Sequence, residues 1–521
     1  MRRGFFYTLL FIALSAILAC NRGGDERQPL SLDELSEWVK PEYAIDGQRI
    51  LDQIHQQADA TPVQMYADAY TRAYYTDDSN PLVWITRMGI DSCADVLMQY
   101  LSAADTLGIS KQIFQVDTLQ ALVRHMQQLD FNGISANEVL SQLEYRLTFA
   151  YLRYACGQRF GFIHARRVFD HLLIDPPAPG ETRTTSVYRR LFDHEADEVT
   201  DSFIHHALEE ARHHRVKAFL EEIQPKDKIY RQMSREYQRA QQQGDTARTR
   251  LARINMERAR WRYPHPTTGK YILVNLAAQE LMAVDTERDS VMTMRVCCGN
   301  STHKTPLLHS EIRGIELNPY WVIPQTIVRK EIMPRHVGDS AYYAKNNYIA
   351  INKETKEEVD PTTLTAADLR SARYTLRQER GRGNSLGRII FRFANNFSVF
   401  LHDTNNRGAF QYANRAISHG CVRVERPLDL LIFTLDHPSA SYIDRIRISI
   451  DQQPLTADGR QYLASHPGSK PVNNIGLSKP VPVWLDYWTL YPTLHGGFQT
   501  YEDKYGYDKV IEEGLGKIEK K

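Results

Sequence analysis

A change of period near residue 263 constrains this chain more than any other feature. Before it, apolar residues recur three and four apart, as in Leu97, Tyr100, Leu101 and Ala104, or Leu140, Leu143 and Leu147. That spacing lines up one face of an α-helix. After Tyr263-Pro264-His265-Pro266 they gather in short branched or aromatic runs, Tyr271–Val274, Glu280–Val284, Val291–Val296 and Ile389–Phe393, which read as strands. With 521 residues there is room for two or three domains. The reading is α+β and multidomain: an all-helical N-terminal domain over 30–254, then a mostly β domain over 255–455, with 456–521 completing or flanking it. Asp175-Pro176-Pro177-Ala178-Pro179-Gly180 interrupts the helical part, because proline and glycine break regular structure. Phe203–Phe219 and Arg231–Arg262 then resume it as charged helices. Arg235, Arg239, Arg248, Arg250, Arg253, Arg258 and Arg260 read as a solvated face with interleaved acids, and contact with an anionic wall or lipid is the alternative. Within the β part, a polar stretch over about 325–377 carrying Arg329, Lys330, Lys345 and Lys353 reads as an insertion.

Chemistry concentrates between His402 and Arg423, HDTNNRGAFQYANRAISHGCVR. Cys421 attacks carbonyls only as thiolate, which nearby imidazole or guanidinium favours; His402, His419 and Arg423 are at hand. Gly420 has no Cβ, so backbone N–H groups can approach the oxygen of a tetrahedral intermediate. His402 follows the apolar runs Ile389–Phe393 and Phe397–Leu401 and is expected to end a strand as general base. A buried structural thiol with core histidines is the rival reading.

The pattern His-x15-Ser-His-Gly-Cys-x-Arg resembles the signature of the L,D-transpeptidase catalytic domain, the YkuD-type fold. The likeness extends to Asn255–Arg258, Trp261, Tyr271–Asn275, Asn318-Pro319-Tyr320-Trp321, Gly383–Arg388, Val424–Leu428 and Pro482–Thr489, as in the large YcbB-type members. Leu82-Val83-Trp84 and the helical pattern resemble, more loosely, the helical scaffold region of those proteins. The resemblance implies Cys421 as nucleophile, His402 as base oriented by a neighbouring backbone carbonyl, and His419 with Gly420 in the substrate and oxyanion surroundings. It implies Ser418, Asp403, Tyr320, Trp321 and Arg423 as substrate-binding residues; a guanidinium at 423 suits a stem-peptide carboxylate, although an ion pair with Glu425 is an equal alternative. The 325–377 insertion becomes a cap subdomain over the cleft. Donor and acceptor would be peptidoglycan stem peptides, with no cofactor or metal, and acylation by carbapenems is implied. Large members often carry a peptidoglycan-binding module before the catalytic domain; here Tyr230–Met233 leads to Asn255 with no room for one. Hydrolysis, as an L,D-carboxypeptidase or amidase, and a non-catalytic envelope scaffold remain rivals.

The amino terminus places Met1-Arg2-Arg3-Gly4 before an apolar run from Phe5 to Ala19, in secretory order and too short for a comfortable span. Ile17-Leu18-Ala19-Cys20 resembles a lipobox, so residues 1–19 would be a lipoprotein signal peptide, Cys20 the lipidated residue and 20–29 a tether; an ordinary cleaved signal or an uncleaved anchor is the alternative. The expected location is the periplasmic side of a Gram-negative envelope, where cell-wall synthesis enzymes are potential partners. A formal charge of +1 argues against a nucleic-acid binder. Cys93, Cys156, Cys297 and Cys298 permit three disulfide connectivities, and sequence does not choose; Cys297-Cys298 reads as a pair of buried strand residues. His205-His206 and His213-His214 flank Glu209-Glu210 at a spacing that suits metal ligands, but without an HExxH pattern they read as a surface helix.

Overall fold

The computed structural model describes residues 28–40, 44–77, 79–128, 133–170, 192–194, 198–261, 268–371, 373–493 and 496–519. The expected leader over 1–19, Cys20, Asn21–Arg27, Asp175–Gly180 and Tyr263–Pro266 lie outside the described residues. Helices α1 (Gly47–Ala60), α2 (Tyr66–Tyr75), α3 (Cys93–Ser102), α4 (Val116–Gln128), α5 (Ala136–Phe160), α6 (Asp201–Arg212), α7 (Val216–Glu222), α8 (Lys228–Gln242) and α9 (Thr246–Arg260) build the N-terminal half. Two ribbons of two-residue strands, Val39–Lys40 with Ile45–Asp46 and Ile85–Thr86 with Gly89–Ile90, interrupt them.

Helix α5 is the axis of this half and is buried along most of its length. Its Glu144 accepts the N–H groups of Val83, Trp84 and Ile85 at 2.6, 3.0 and 2.9 Å and the Tyr75 hydroxyl at 2.6 Å. One carboxylate thus satisfies three backbone donors that no ladder pairs, which is why Leu82-Val83-Trp84 can lie buried in irregular backbone.

Both charged helical stretches are broken in the middle. The first turns between α6 and α7 at His213–Arg215, with His214 at φ +59. The second folds into an α8–α9 hairpin at Gly244, and Asp245 caps α9 by accepting the Arg248 N–H at 2.9 Å. The arginines are not one solvated face. Arg258 pairs with Asp508 at 2.6 Å and Arg260 with Glu257 at 3.1 Å, all four buried, while Arg248, Arg250 and Arg253 each meet a carboxylate nearer the surface.

The β half is a sheet closed on itself. Its strands are β1 (Phe192–Asp193), β2 (Lys270–Asn275), β3 (Glu280–Asp285), β4 (Ser290–Gly299), β5 (Leu307–Leu317), then four cap strands, β6 (Trp321–Val322), β7 (Tyr348–Asn352), β8 (Glu358–Val359) and β9 (Tyr374–Gln378). The last five are β10 (Ile389–Phe393), β11 (Leu401–His402), β12 (Ala416–Ser418), β13 (Val422–Val424) and β14 (Asn474–Asp486). The ring runs β10-β11-β13-β4-β3-β2-β14-β5 and closes where β5 pairs with β10. Strand β14 lies parallel to β2 and antiparallel to β5, so residues 474–486 complete the ring from within. Strand β1, from the helical half, adds to β5. Helix α10 (Tyr507–Glu519) returns to the α8–α9 hairpin through Arg250–Glu512 and Arg253–Glu519.

The expected insertion is a folded subdomain over 321–378. Its sheet has the order β6-β9-β7-β8 and its own core of Ile323, Val328, Ile332, Tyr343, Ala350, Leu369 and Leu376. The apolar residues are spread thinly among charges, so no run of them announces the core in sequence. Cys93, Cys156, Cys297, Cys298 and Cys421 are all free thiols, and the vicinal pair is buried in β4. Among the described residues no helix is long and apolar enough to cross a membrane.

Candidate active site

Strands β11 and β13 run parallel, with His402 opposite Arg423 and Leu401 opposite Val422. That register sets His402 beside Arg423, with Cys421 immediately before β13, and all three open into one cavity of about 880 Å³. The barrel forms its floor, and Trp321, Ile327, Lys330, Glu331, Tyr342 and Tyr348 of the cap subdomain form its roof.

His402 is buried, and its Nδ1 lies 2.5 Å from the Asp403 carbonyl oxygen. A carbonyl only accepts, so Nδ1 carries the proton and Nε2 keeps its lone pair. Burial, reinforced by the Arg423 charge, brings the His402 pKa down to about 4, so the ring is neutral near pH 7. Burial also raises the Cys421 thiol above its ordinary value, against the smaller opposing effects of a Phe400 backbone hydrogen bond and Arg423. The resting pair is therefore thiol and neutral imidazole, not the thiolate that the nearby cations suggest from sequence. Desolvation outweighs the attraction of the single buried guanidinium.

Two turns hold Cys421. Gly420 sits at φ +121, a conformation that side chains rarely adopt. Its N–H donates to Ser418 Oγ at 3.1 Å, Ser418 Oγ donates to the Cys421 carbonyl at 2.6 Å, and Thr305 Oγ1 donates to the Gly420 carbonyl at 2.8 Å. The Gly420 N–H is thus occupied within the turn. The Cys421 N–H makes no hydrogen bond among the described residues and so remains free to donate. On the other side, Asn395 accepts from the N–H groups of Phe397 and Val399, shaping a loop in which Ser398 takes φ +56. Cys421 Sγ lies 3.7 Å from the Ser398 carbonyl. Strand β11 is therefore only two residues long, and Phe397–Phe400 is turn and coil where the apolar run suggested strand.

His419 points to the cap. Its Nε2 is 2.6 Å from Glu331 Oε1, and its ring lies 4.8 Å from that of His303. Glu331 and Lys330 stand on one π-helical turn, Val328–Ile332, a widened turn that often marks functional positions. Arg423 has no acidic partner among the described residues, because Glu425 is engaged by Arg295 at 2.9 Å. Trp321 lines the cavity. Tyr320 does not; its ring lies between the guanidinium groups of Arg377 and Arg380, at 3.9 and 4.1 Å. The Asp403 carboxylate also faces away from the cavity, accepting the Arg388 N–H at 2.8 Å and pairing with Arg407 at 3.1 Å. Its backbone carbonyl is what reaches the site.

Several supporting residues gave no signal in isolation. Tyr505 donates to the Gly299 carbonyl at 2.6 Å and accepts the Thr305 N–H at 3.2 Å, bracing the segment that braces Gly420. Gly387, at φ +63, leaves room for Asp403; a Cβ there would lie 2.4 Å from Asp403 Cγ. Asn384 ties the two stems of the cap together, donating to the carbonyls of Pro319 and Glu379 at 3.1 and 2.9 Å. Gly387 and Asn384 could have been suspected from the Gly383–Arg388 motif; Tyr505 could not.

Residues 269–438 match the family model described as the L,D-transpeptidase catalytic domain, YkuD, and residues 69–236 match the model described as the Scaffold domain. A Haemophilus influenzae protein named "Putative L,D-transpeptidase" is 28% identical over 241 residues. The match covers 46% of this chain and 45% of that protein, so the chain spans just under half the length of the relative it matches.

Proposed function

Residues 269–438 of this chain form a YkuD L,D-transpeptidase catalytic domain behind a Scaffold domain over 69–236, and from that premise we propose a cysteine-dependent acyltransferase that makes 3-3 cross-links between peptidoglycan tetrapeptide stems. The observation that carries the reading is the pairing, in one roofed cavity, of Cys421 with a His402 whose tautomer leaves Nε2 able to accept a proton.

In the first step His402 Nε2 takes the thiol proton as Cys421 Sγ bonds to the carbonyl carbon of the third stem residue. The developing oxyanion lies toward the Cys421 N–H. The bond to the terminal D-alanine nitrogen then breaks, His402 returns the proton to that nitrogen, and a thioester remains. In the second step the side-chain amine of another stem attacks the thioester, the C–S bond breaks, and the amine's proton passes through His402 to sulfur. A resting neutral pair suits this cycle, since each half-reaction begins and ends with neutral His402, and the imidazolium and oxyanion arise together only in between. The Arg423 guanidinium, with no acidic partner among the described residues, is suited to a stem carboxylate. Carbapenems would acylate Cys421 by the same attack. We place the protein on the periplasmic side of a Gram-negative envelope, tethered through Cys20.

The test is mass spectrometry of tetrapeptide muropeptides incubated with the protein and with Cys421→Ala. The expected product is a cross-linked dimer lacking one terminal alanine, absent with the variant. Tripeptide without dimer would make the enzyme a carboxypeptidase, and identical products from both proteins would remove Cys421 from the reaction.

A further inference from the structure

The helical half contains a second cluster of reactive side chains, remote in sequence from Cys421. Asp91 and Cys93 stand at the N-terminus of α3, both buried, and His214 reaches them from the turn between α6 and α7. His214 Nδ1 lies 2.5 Å from Asp91 Oδ2, and one ligand atom from each of the three residues falls within 4.8 Å of the others. Of the paired histidines that flank Glu209-Glu210, only His214 joins this cluster; His206 pairs with Glu210 on α6, and His213, at the C-terminal cap of that helix, with Glu209.

We propose that Asp91, Cys93 and His214 bind a divalent transition-metal ion of the zinc type, with water as fourth ligand. Sulfur, imidazole nitrogen and carboxylate oxygen are the donors that such an ion combines in tetrahedral geometry, and a thiol among them disfavours calcium and magnesium. Metal–ligand bonds of about 2.0–2.3 Å place tetrahedral ligand atoms roughly 3.3–3.8 Å apart. The present separation of His214 from Asp91 is shorter, so the imidazole swings outward as the ion enters. Its side chain is about one third exposed and is free to do so. Asp91 Oδ1 meanwhile keeps its hydrogen bond from the Cys93 N–H at 2.6 Å, which fixes the carboxylate.

Binding balances in charge and protons. Cys93 loses its thiol proton to solvent, the His214 proton moves from Nδ1 to Nε2, and the ion's two positive charges meet one thiolate and one carboxylate. The ion would join α3 to the α6–α7 turn across more than a hundred residues of chain, so its binding free energy would add to the stability of the helical half.

The test strips the full chain with a chelator and titrates it with cobalt(II), then zinc(II). One equivalent of cobalt should produce the near-ultraviolet thiolate charge-transfer band, and zinc should abolish it and raise the melting temperature. The band should persist in Cys421→Ala and vanish in Cys93→Ser and in His214→Asn, whose amide tolerates the left-handed turn. Absence of the band in the parent, its survival in Cys93→Ser or His214→Asn, or its loss in Cys421→Ala would overturn the proposal.

Discussion

His402 ties the chemistry proposed for the cavity to the stability of the fold. Its imidazole is neutral in the fold, with a pKa brought from 6.5 to about 4, chiefly by burial. Between those values the unfolded chain takes up a proton that the folded chain refuses. Its contribution is therefore fully present above pH 6.5 and lost as pH falls toward 4, by about 3 kcal/mol in all. Denaturant unfolding followed from pH 7 to pH 4 should show this decline, and His402→Gln should remove that part of it. The acylation rate should likewise show no inflection near pH 6.5; one there would mean that the ring is solvated. That His402 and Cys421 share one cavity was legible in sequence because the two fall in one short motif. Their protonation was not, since it depends on burial, which a motif does not record. Asp403 was legible only as a position: its carbonyl reaches the site, whereas its carboxylate serves Arg388 and Arg407.

Among the elements, the cap subdomain and the Ser418–Cys421 turn meet at one contact, His419 with Glu331. Both side chains are substantially exposed, so the pair is worth no more than about 1 kcal/mol and weakens with salt. Glu331→Ala should raise KM for stem peptide up to about fivefold at low ionic strength, with kcat nearly unchanged and the difference fading in high salt. Steady-state kinetics at two ionic strengths checks this; an unaltered KM would show that the contact does not hold the roof. Four strands of the barrel, β2, β3, β4 and β10, were readable from their branched runs, whereas β5 and β14 were not. The cap was readable only as an interruption, because its core residues are isolated among polar neighbours and become a cluster only when β6 to β9 assemble. The α8–α9 break was written in Gly244 and Asp245 but obscured by strong helical composition on either side.

Across the whole molecule, motifs that look catalytic by association serve as joints. Asn255 exchanges hydrogen bonds with Thr489, Asn275 with the Trp488 backbone, and Arg258 reaches Asp508. These contacts unite α9, β2, the segment after β14 and α10. Arg258→Ala should cost about 3–5 kcal/mol by leaving the buried Asp508 carboxylate unpaired, whereas the double change Arg258→Met with Asp508→Leu should recover much of it. Chemical unfolding of the two variants makes the comparison; equal losses would mean that the joint depends on more than its charges.

The ring order carries a consequence for the time at which this molecule becomes reactive. Strand β14 is made after Cys421, His402 and the cap, yet it belongs between β2 and β5. A chain emerging from amino to carboxyl end thus holds His402 and Cys421 while its barrel still has a gap, and Tyr505, which braces the Gly420 turn, emerges later still. Synthesis itself acts as a timer, withholding an organised thiol until β14 and Tyr505 have followed it out of the machinery that makes it.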